Sequence, residues 1–439
     1  MPLPPLKLNL QELKVSDITL SIEQQKLFNR FENTENHMFI TGKAGTGKSV
    51  LLQHIKLNTQ KKIIVVAPTG VAALNVGGQT IHSLFLFPPS FIDTRSLRLS
   101  AKTAKILKHI DTLVIDEVSM VRADLMDGID FMLRLARDKD LPFGGVQLLM
   151  FGDLYQLPPV INEPELHSYF QDLNGGFYFF NSLAWNGTDL EIYELNTIFR
   201  QTDDDFKSIL NSLRYGDMTE DLLNSLNRRV VDSCPADGVI TLATTNATAF
   251  QINYSRLNSL TSQSFSYQAI IDGKMDVSSY PTESSLVLKK GAQIMMLKND
   301  SKKRWVNGSL GTIESIDHNE IKVNIDGQVH SVVKETWNKI RYSFNSEKRE
   351  IEEEVVSSFT QFPVRLAWAI TVHKSQGQTY TSVVIDMGRG AFAHGQAYVA
   401  LSRCKSLETL YLKRPLTHND VIVDPAVISF MKKANINKI

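Results

Sequence analysis

Short runs of apolar residues alternate with amphipathic, helix-like stretches along the first part of this chain. Four of the runs, near 37–41, 62–67, 111–116 and 146–151, have the length and continuous hydrophobicity of buried parallel strands. Strands that alternate with helices from about residue 20 to residue 190 are typical of a doubly wound parallel sheet. The pattern therefore predicts a first α/β core over residues 1–190, with a small insertion at about 84–106.

The same alternation returns in the second part of the chain. It resumes at Glu191–Leu195, continues through the strand-like Val239–Ala243 and a helix from Asn246, and reaches Val383–Asp386. We therefore expect a second α/β core built from residues 191–262 and 360–439. Residues 263–359 differ, because short alternating strands are separated there by Gly and Asp-Gly turns. That pattern favours a small β-barrel inserted in the second core.

Composition adds limits on the class of protein. A chain of 439 residues, 43% hydrophobic and 21% charged, is expected to form several globular domains. It has no apolar run of membrane-spanning length, and its start resembles neither a signal peptide nor a transit peptide, so we expect a cytoplasmic protein without a membrane partner. Two cysteines, Cys234 and Cys404, form no disulfide framework. Its 47 basic and 47 acidic residues argue against a polycation and leave room for a local basic groove.

The segment Gly42–Ser49 fits the phosphate-binding pattern G-x-x-x-x-G-K-[ST] and directly follows the strand-like Met38–Ile40. Glycines let backbone N–H groups surround phosphate oxygens, Lys48 supplies a charge for the β- and γ-phosphates, and the Ser49 hydroxyl can ligate Mg²⁺. A nucleoside triphosphate with Mg²⁺ is therefore the expected ligand. The residues expected to contact it are Gly42, Ala44, Gly45, Thr46, Gly47, Lys48 and Ser49.

Two carboxylates and a glutamine follow later strands. Asp116 and Glu117 end the apolar run Leu113–Ile115, and we expect Asp116 to hold Mg²⁺ and Glu117 to orient or deprotonate the attacking water. This pair favours hydrolysis over phosphoryl transfer to another substrate. Gln156 follows the run Leu148–Phe151. It can sense the γ-phosphate or be an ordinary loop amide, and both interpretations stay open.

Two arginines in the predicted second core, Arg200 and Arg403, decide between two functions, a simple nucleotidase and a motor. If both reach across the cleft between the cores, they can neutralise charge on the γ-phosphate in the transition state. Cleft closure on the nucleotide and opening after hydrolysis then form a mechanical cycle. Either arginine alone would be more typical of a surface ion pair, but the two together in these sequence contexts are not.

These segments resemble, in order, the motifs of the Pif (petite integration frequency) family of superfamily 1B DNA helicases. Leu20–Gln24 resembles the adenine-reading Q motif, although Ser21 and Gln24 also form a capping-box pair. The other matching segments are Ala67–Ala73, Gly78–Ser83, Gly152–Val160, Ala369–Thr379 and Ala397–Arg403. Asp127–Asp130 and Pro142–Leu148 resemble the helix and turn that separate this family from its RecD-like relatives.

The resemblance implies two RecA-like cores that bind ATP, with Gln24 and Gln378 added to the nucleotide contacts. It also implies 5′ to 3′ unwinding of duplex DNA, and of G-quadruplexes and RNA–DNA hybrids, in repair, recombination and replication. The expected partners are single-stranded, forked or G-quadruplex DNA, bound by a monomer associated with the nucleoid. The residues that it assigns to DNA are Pro68, Thr69, Gly70, His82, Phe85, Thr244, Asn246, Thr371, His373 and Lys374. The chain lacks the long extensions of eukaryotic members, which suggests a bacterial or phage minimal core.

Several alternatives stay open from the sequence. The apolar excursion Phe85–Pro89 can be a wedge that splits base pairs or a hairpin that packs on itself. Phe199 and Trp368 are expected in the core. An RNA-directed helicase is a second candidate enzyme, because phosphate and stacking contacts do not exclude a 2′-OH. An ATP-switched binding module without strand separation belongs to a different class.

Overall fold

The computed structural model describes residues 19–161, 164–201, 203–232, 238–345, 347–348 and 350–439. Cys234 lies outside these residues. No helix in the described ranges combines the length and apolar character needed to cross a membrane. The α-helices are Ile22–Glu32, Lys48–Asn58, Gly70–Asn75, Ile81–Phe85, Ala101–Leu107, Ala123–Arg137, Pro164–Asn174, Asp204–Tyr215, Glu220–Asn227, Asn246–Ser259, Gln396–Leu401 and Pro425–Lys433.

The first core contains a seven-stranded parallel sheet. Its strands, in spatial order, are Ile436–Asn437, Leu190–Leu195, His37–Gly42, Gln147–Phe151, Thr112–Ile115, Ile63–Ala67 and Gln79–Thr80. The four strands predicted between residues 37 and 151 are confirmed. Apolar side chains are buried on both faces of the sheet, which explains why these strands are continuously hydrophobic.

The strand Leu190–Leu195 belongs to this first sheet, and its predicted place in the second core is wrong. It pairs in parallel with His37–Gly42 along its whole length, from His37 opposite Leu190 to Gly42 opposite Leu195. The strand Ile436–Asn437 pairs in turn with its outer edge. The predicted boundary at residue 190 therefore cuts the first sheet, and the chain returns to that sheet close to residue 436.

The second core contains a four-stranded parallel sheet with the spatial order Ala369–Thr371, Ile240–Ala243, Val383–Asp386 and Leu410–Leu412. The predicted strands at Val239–Ala243 and Val383–Asp386 are confirmed. Both cores are thus α/β units with parallel sheets, whose strands end at edges where loops can carry functional groups.

The insertion in the second core is made of antiparallel strands around a separate apolar core. A ribbon of Ser264–Gln268 and Ser285–Lys289 packs with a five-stranded sheet. The sheet has the order Gln328–Val332, Ile321–Ile325, Leu310–Ile316, Gln293–Met296 and Val364–Leu366. The region predicted as a barrel is therefore a sheet and a ribbon that enclose one core, and its last strand lies beyond residue 359.

A long hairpin, Glu335–Asn345 with Glu350–Gln361, extends from the insertion to the first core and was not predicted. Ile270–Gly273 pairs along its outer strand. The buried Tyr342 donates its backbone N–H to Gln79 Oε1 at 3.1 Å. Phe344 stacks on His109 with ring centroids 3.8 Å apart. The hairpin thus connects the insertion to the edge of the first sheet.

Candidate nucleotide site and nucleic-acid interface

The phosphate loop connects the strand His37–Gly42 to the helix Lys48–Asn58. Gly45 and Gly47 have φ values of 84° and 82°, in the left-handed region that favours glycine. Lys48 Nζ donates to the carbonyl oxygens of Gly42 at 2.6 Å and Lys43 at 3.2 Å. The loop therefore has the glycine conformations and the lysine that a phosphate group requires, at the N-terminus of a helix.

Asp116 and Glu117 follow the strand Thr112–Ile115, as predicted. Glu117 has a left-handed backbone with φ 50°, a strained conformation for a non-glycine residue that is often found at functional sites. Burial, and then the charge of Glu117, raise the pKa of Asp116 to about 7. Burial also raises the pKa of Glu117, although the charge of Lys48 opposes it. The charges of the two carboxyl groups and of Lys48 thus interact at this edge of the sheet.

The oxygen donors at this edge fit a magnesium ion. Ser49 has an exposed side chain at the start of the helix, and Asp116 offers a carboxylate. Hard oxygen ligands suit Mg²⁺, which usually takes only one or two protein groups and completes its shell with phosphates and water. Within the described part of the chain, no group of three or more His, Cys, Asp or Glu side chains forms a metal cage.

Arg200 and Arg403 meet at this cleft from different sides. The backbone N–H of Phe199 donates to Gly45 O at 2.9 Å, which places Arg200 on the side of the phosphate loop. The predicted origin of Arg200 in the second core is therefore wrong. Its guanidinium donates to Ser402 O at 3.1 Å, and burial together with the charge of Arg403 lowers its pKa to about 9. Two like charges held close together suit a site that receives an anion.

Arg403 is buried in the second core at the end of the helix Gln396–Leu401. Its Nε donates to Val399 O at 2.9 Å, and burial lowers its pKa, although the charge of Glu117 opposes this shift. Arg403 directly follows Ser402, whose carbonyl oxygen accepts from Arg200, so the two guanidinium groups lie near the same cleft.

The loop that carries Gln156 is fixed by a buried ion pair that sequence reasoning missed. Asp153 accepts from Arg214 at 3.1 Å and from Gln156 Nε2 at 3.3 Å. Burial opposes ionisation of Asp153, but the charges of Arg214 and Lys48 lower its pKa overall. The guanidinium of Arg214 also lies over the ring of Tyr155, 4.5 Å from its centroid. The sequence contained one indication of this pair: Arg214 lies four residues after Leu210 and eight after Phe206, on the apolar face of its helix.

At the adenine end of the site, the structure confirms the capping box expected for Gln24 and contradicts the burial expected for Phe199. Gln24 does form the capping box with Ser21, and its Nε2 donates to Gly47 O at 3.0 Å, so its amide already holds the phosphate loop. Phe199, expected in the core, is 58% exposed. Its ring lies 3.7 Å from where a Cβ on Gly47 would be. The expectation for Phe199 is wrong, and an exposed aromatic face is available beside the loop.

Gln378 does not face the nucleotide site with its side chain. Its Nε2 donates to Asn307 Oδ1 of the insertion at 3.3 Å, and its amide lies against Gly308. Only its backbone oxygen approaches the site, 3.4 Å from Arg403 Nη1. The geometry therefore contradicts a nucleotide contact by this side chain.

The residues assigned to DNA follow the carboxyl ends of four parallel strands. Two of these strands, Ile63–Ala67 and Gln79–Thr80, belong to the first sheet, and two, Ile240–Ala243 and Ala369–Thr371, belong to the second. In open α/β sheets this edge is where ligands bind. The residues placed there are Pro68, Thr69, Gly70, His82, Thr244, Asn246, Thr371, His373 and Lys374. Asn246 and Lys374 are exposed, whereas Thr244 and Thr371 are buried.

Part of this edge is covered by the insertion. A Cβ on Gly70 would lie 2.6 Å from Ser279 Oγ, which belongs to the short turn Val277–Ser279. This turn therefore lies against Gly70 and covers part of it.

Phe85 does not lie on the surface. It is 1% exposed and stacks on the buried Phe87 with ring centroids 5.2 Å apart. The assignment of Phe85 to DNA is therefore wrong for this structure, because its ring is part of the first core. The exposed part of the excursion is Leu86, which has a left-handed φ of 59°, together with Pro88 and Pro89.

Comparison with known proteins identifies relatives of this chain. Residues 19–222 match the model of the PIF1-like helicase family. The ATP-dependent DNA helicase Pif1 of Bdellovibrio bacteriovorus is 31% identical over 432 residues, which cover 96% of this chain and 93% of that protein. The ATP-dependent DNA helicase PIF1 of Xenopus laevis is 34% identical over 404 residues, which cover 90% of this chain; the chain spans 61% of the length of that relative.

The fold is also similar to a solved structure. The crystal structure of Bacteroides sp. Pif1 in complex with ADP-AlF4 has a TM-score of 0.88 and 39% sequence identity. The match covers 95% of this chain and 97% of that chain. Its extent shows that the two parallel-sheet cores and the insertion have the arrangement of that helicase.

Proposed function

Because this chain belongs to the PIF1-like helicase family, we propose that it is an ATP-dependent DNA helicase that moves 5′ to 3′ on single-stranded DNA. The observation that carries this proposal is the convergence of three groups at one cleft. The phosphate loop and the Asp116–Glu117 pair come from the first core, and Arg403 comes from the second. A site divided between two cores couples hydrolysis to their relative motion.

Each residue of the cleft has a chemical task in this proposal. Lys48 binds the β- and γ-phosphates, and Glu117 orients and deprotonates the attacking water. Arg200 and Arg403 stabilise the charge that develops on the transferred phosphoryl group. Mg²⁺, when bound through Ser49 and Asp116, neutralises phosphate charge. Phe199 offers a face on which the adenine can stack.

The strand-end residues form the DNA groove in this proposal. His82 lies on the first core and His373 on the second, so a single strand along this edge is held by both cores. Movement of one core relative to the other would then shift the strand by steps, since each core can grip and release in turn. Local phosphate contacts would make binding salt-sensitive although the whole chain is neutral.

The finer parts of the proposal concern substrates and location. G-quadruplexes and RNA–DNA hybrids are further substrates, the protein acts as a monomer, and it associates with the nucleoid in repair, recombination and replication. The names of its relatives, ATP-dependent DNA helicases, support DNA as the main partner.

The test compares nucleic acids and polarity in two assays. Steady-state ATPase rates with single-stranded DNA, RNA and no nucleic acid should show stimulation by DNA above RNA. Forked substrates with only a 5′ tail should be unwound, whereas forks with only a 3′ tail should not. Equal rates on both forks contradict the polarity, and stimulation by DNA without unwinding of either fork supports an ATP-switched binding module instead.

A further inference from the structure

A short segment of the second core, Ala393–Leu401, packs directly on the loop of the first core that carries Gln156. We call it the clamp segment. A Cβ on Gly395 would lie 2.3 Å from Tyr155 O and 2.7 Å from Gln156 O, so only glycine allows this approach. His394 Nε2 lies 2.7 Å from Leu154 O. Three consecutive carbonyl oxygens of the Gln156 loop are therefore in contact with the clamp segment.

The ring of His394 is fixed in one orientation. Its Nδ1 accepts the backbone N–H of Asp424 at 2.8 Å, which leaves Nε2–H as the donor to Leu154 O. Burial lowers the pKa of His394, consistent with a neutral imidazole in this role. Because both ring nitrogens have partners, the imidazole is held with Nε2 directed at Leu154 O of the Gln156 loop.

Tyr398, one turn further along the clamp segment, joins two parts of the nucleotide site. Its hydroxyl accepts the backbone N–H of Ala44 in the phosphate loop at 2.9 Å. The same hydroxyl donates to Asp153 Oδ2 at 3.4 Å. Asp153 in turn accepts from Gln156 Nε2 at 3.3 Å. A continuous chain of hydrogen bonds therefore runs from the phosphate loop through Tyr398 to Gln156.

The chain of hydrogen bonds also lies close to Arg403 in sequence. Tyr398 is in the helix Gln396–Leu401, Arg403 follows the C-cap Ser402 of that helix, and the carbonyl oxygen of Ser402 accepts from Arg200 at 3.1 Å. Displacement of the helix Gln396–Leu401 would thus move Arg403 and release the phosphate loop at the same time. Transition-state interactions are sensitive to misplacement of about 1 Å, so the geometry of this helix affects the rate of chemistry more than the binding of the ground state.

We propose that Tyr398 is a positioning residue for ATP hydrolysis. Its hydroxyl links the phosphate loop and the Gln156 loop to the helix that precedes Arg403. This inference rests on the proposed ATPase function. Tyr398 is 3% exposed and its hydroxyl contacts Ala44 and Asp153, so it acts through these two residues and through the helix that precedes Arg403. Asp153 keeps its ion pair with Arg214 when the hydroxyl is removed, and the fold of the loop should persist.

The test is the substitution Tyr398→Phe, which removes the hydroxyl and keeps the ring. With saturating single-stranded DNA, kcat for ATP should fall about tenfold while KM stays within about twofold, because both hydrogen bonds of the hydroxyl are lost and the backbone N–H of Ala44 loses its partner. The matched control is Tyr267→Phe in the insertion, a buried tyrosine whose hydroxyl donates to Asp317 O. That control should leave kcat and KM unchanged.

A second pair of variants covers the case in which Tyr398→Phe does not fold. His394→Ala should lower kcat with little change in KM, and His394→Gln, which keeps a side-chain donor for Leu154 O, should restore part of the rate. Thermal unfolding of each variant shows whether it is folded at the assay temperature.

Different outcomes separate this inference from the proposed function. A wild-type protein that does not hydrolyse ATP with single-stranded DNA contradicts the proposed function itself. A wild-type ATPase whose Tyr398→Phe variant keeps full kcat overturns only the positioning role. A rise in KM alone would make Tyr398 a ground-state binding residue, and an equal loss in Tyr267→Phe would indicate general destabilisation; either result also overturns the inference.

Discussion

The nucleotide cleft and the edge assigned to DNA lie on the same two cores, yet they are built differently. In the cleft, the functional side chains bond to protein groups that hold them in place, as Lys48 does with Gly42 O and Asp153 with Arg214. At the DNA edge, Asn246 and Lys374 are exposed, and Gly70 is covered by Ser279. The cleft is therefore preorganised by contacts within the protein, whereas part of the edge is covered by the insertion.

The largest expected effect is on the cleft. Lys48→Ala should abolish ATP hydrolysis and leave the fold intact, because it removes the charge for the β- and γ-phosphates. Steady-state ATPase with saturating single-stranded DNA measures this. Turnover within a few-fold of the wild type would mean that the preorganised cleft is not the nucleotide site.

The two arginines test whether the cleft needs both sides. Arg403→Ala and Arg200→Ala should each lower kcat by about 10³, the lower end of the effect of arginine fingers in phosphoryl transfer, with a modest change in ATP affinity. Arg403→Lys is the matched variant, since it keeps the charge but loses the planar donors, and it should restore little. Normal turnover in Arg403→Ala would show that the second core does not complete the site.

Glu117→Gln separates binding from chemistry within the cleft. The variant should still bind ATP and Mg²⁺ because Ser49 and Asp116 remain, and its turnover should fall by about 10²–10³, as expected when a general base is lost. Binding of a fluorescent ATP analogue and single-turnover hydrolysis measure the two properties. A loss of ATP affinity would instead make Glu117 a metal ligand or a structural residue.

The excursion Phe85–Pro89 contains both buried and exposed residues, so substitutions there compare a structural role with a role at the DNA fork. Phe85→Ala should destabilise the first core by about 3–5 kcal/mol, the usual cost of truncating a buried phenylalanine. The double substitution Pro88→Ala and Pro89→Ala should leave stability and DNA-stimulated ATPase nearly unchanged and lower only unwinding of a fork. Chemical denaturation and a fork assay measure these effects. Equal loss of ATPase and unwinding in the proline variant would exclude a wedge at this position.

Local patterns predicted the elements well and their sheet partners less well. The strands near 37–41, 62–67, 111–116 and 146–151 were found because continuous hydrophobicity depends only on burial. The strand Leu190–Leu195 was assigned to the wrong sheet because its pattern fits either one, and only the pairing with His37–Gly42 decides. The long hairpin was missed because most of its residues are polar and few are fully buried, so no continuous apolar run marks its strands.

The site shows a similar division. The Gly42–Ser49 loop and the Asp116–Glu117 pair could be found because their chemistry depends on adjacent residues in the chain. Phe85 and Phe199 could not be placed, since both are phenylalanines beside a motif, yet one is 1% and the other 58% exposed. Tertiary packing alone distinguishes them.

The return of the chain to the first sheet at Ile436–Asn437 has a mechanical consequence. The chain leaves that sheet after Leu195 and comes back beside the same strand, so the second core is tied to the first by two neighbouring covalent crossings. Two crossings restrict the relative motion of the cores more than one would, because each fixes one point of the second core beside the strand Leu190–Leu195.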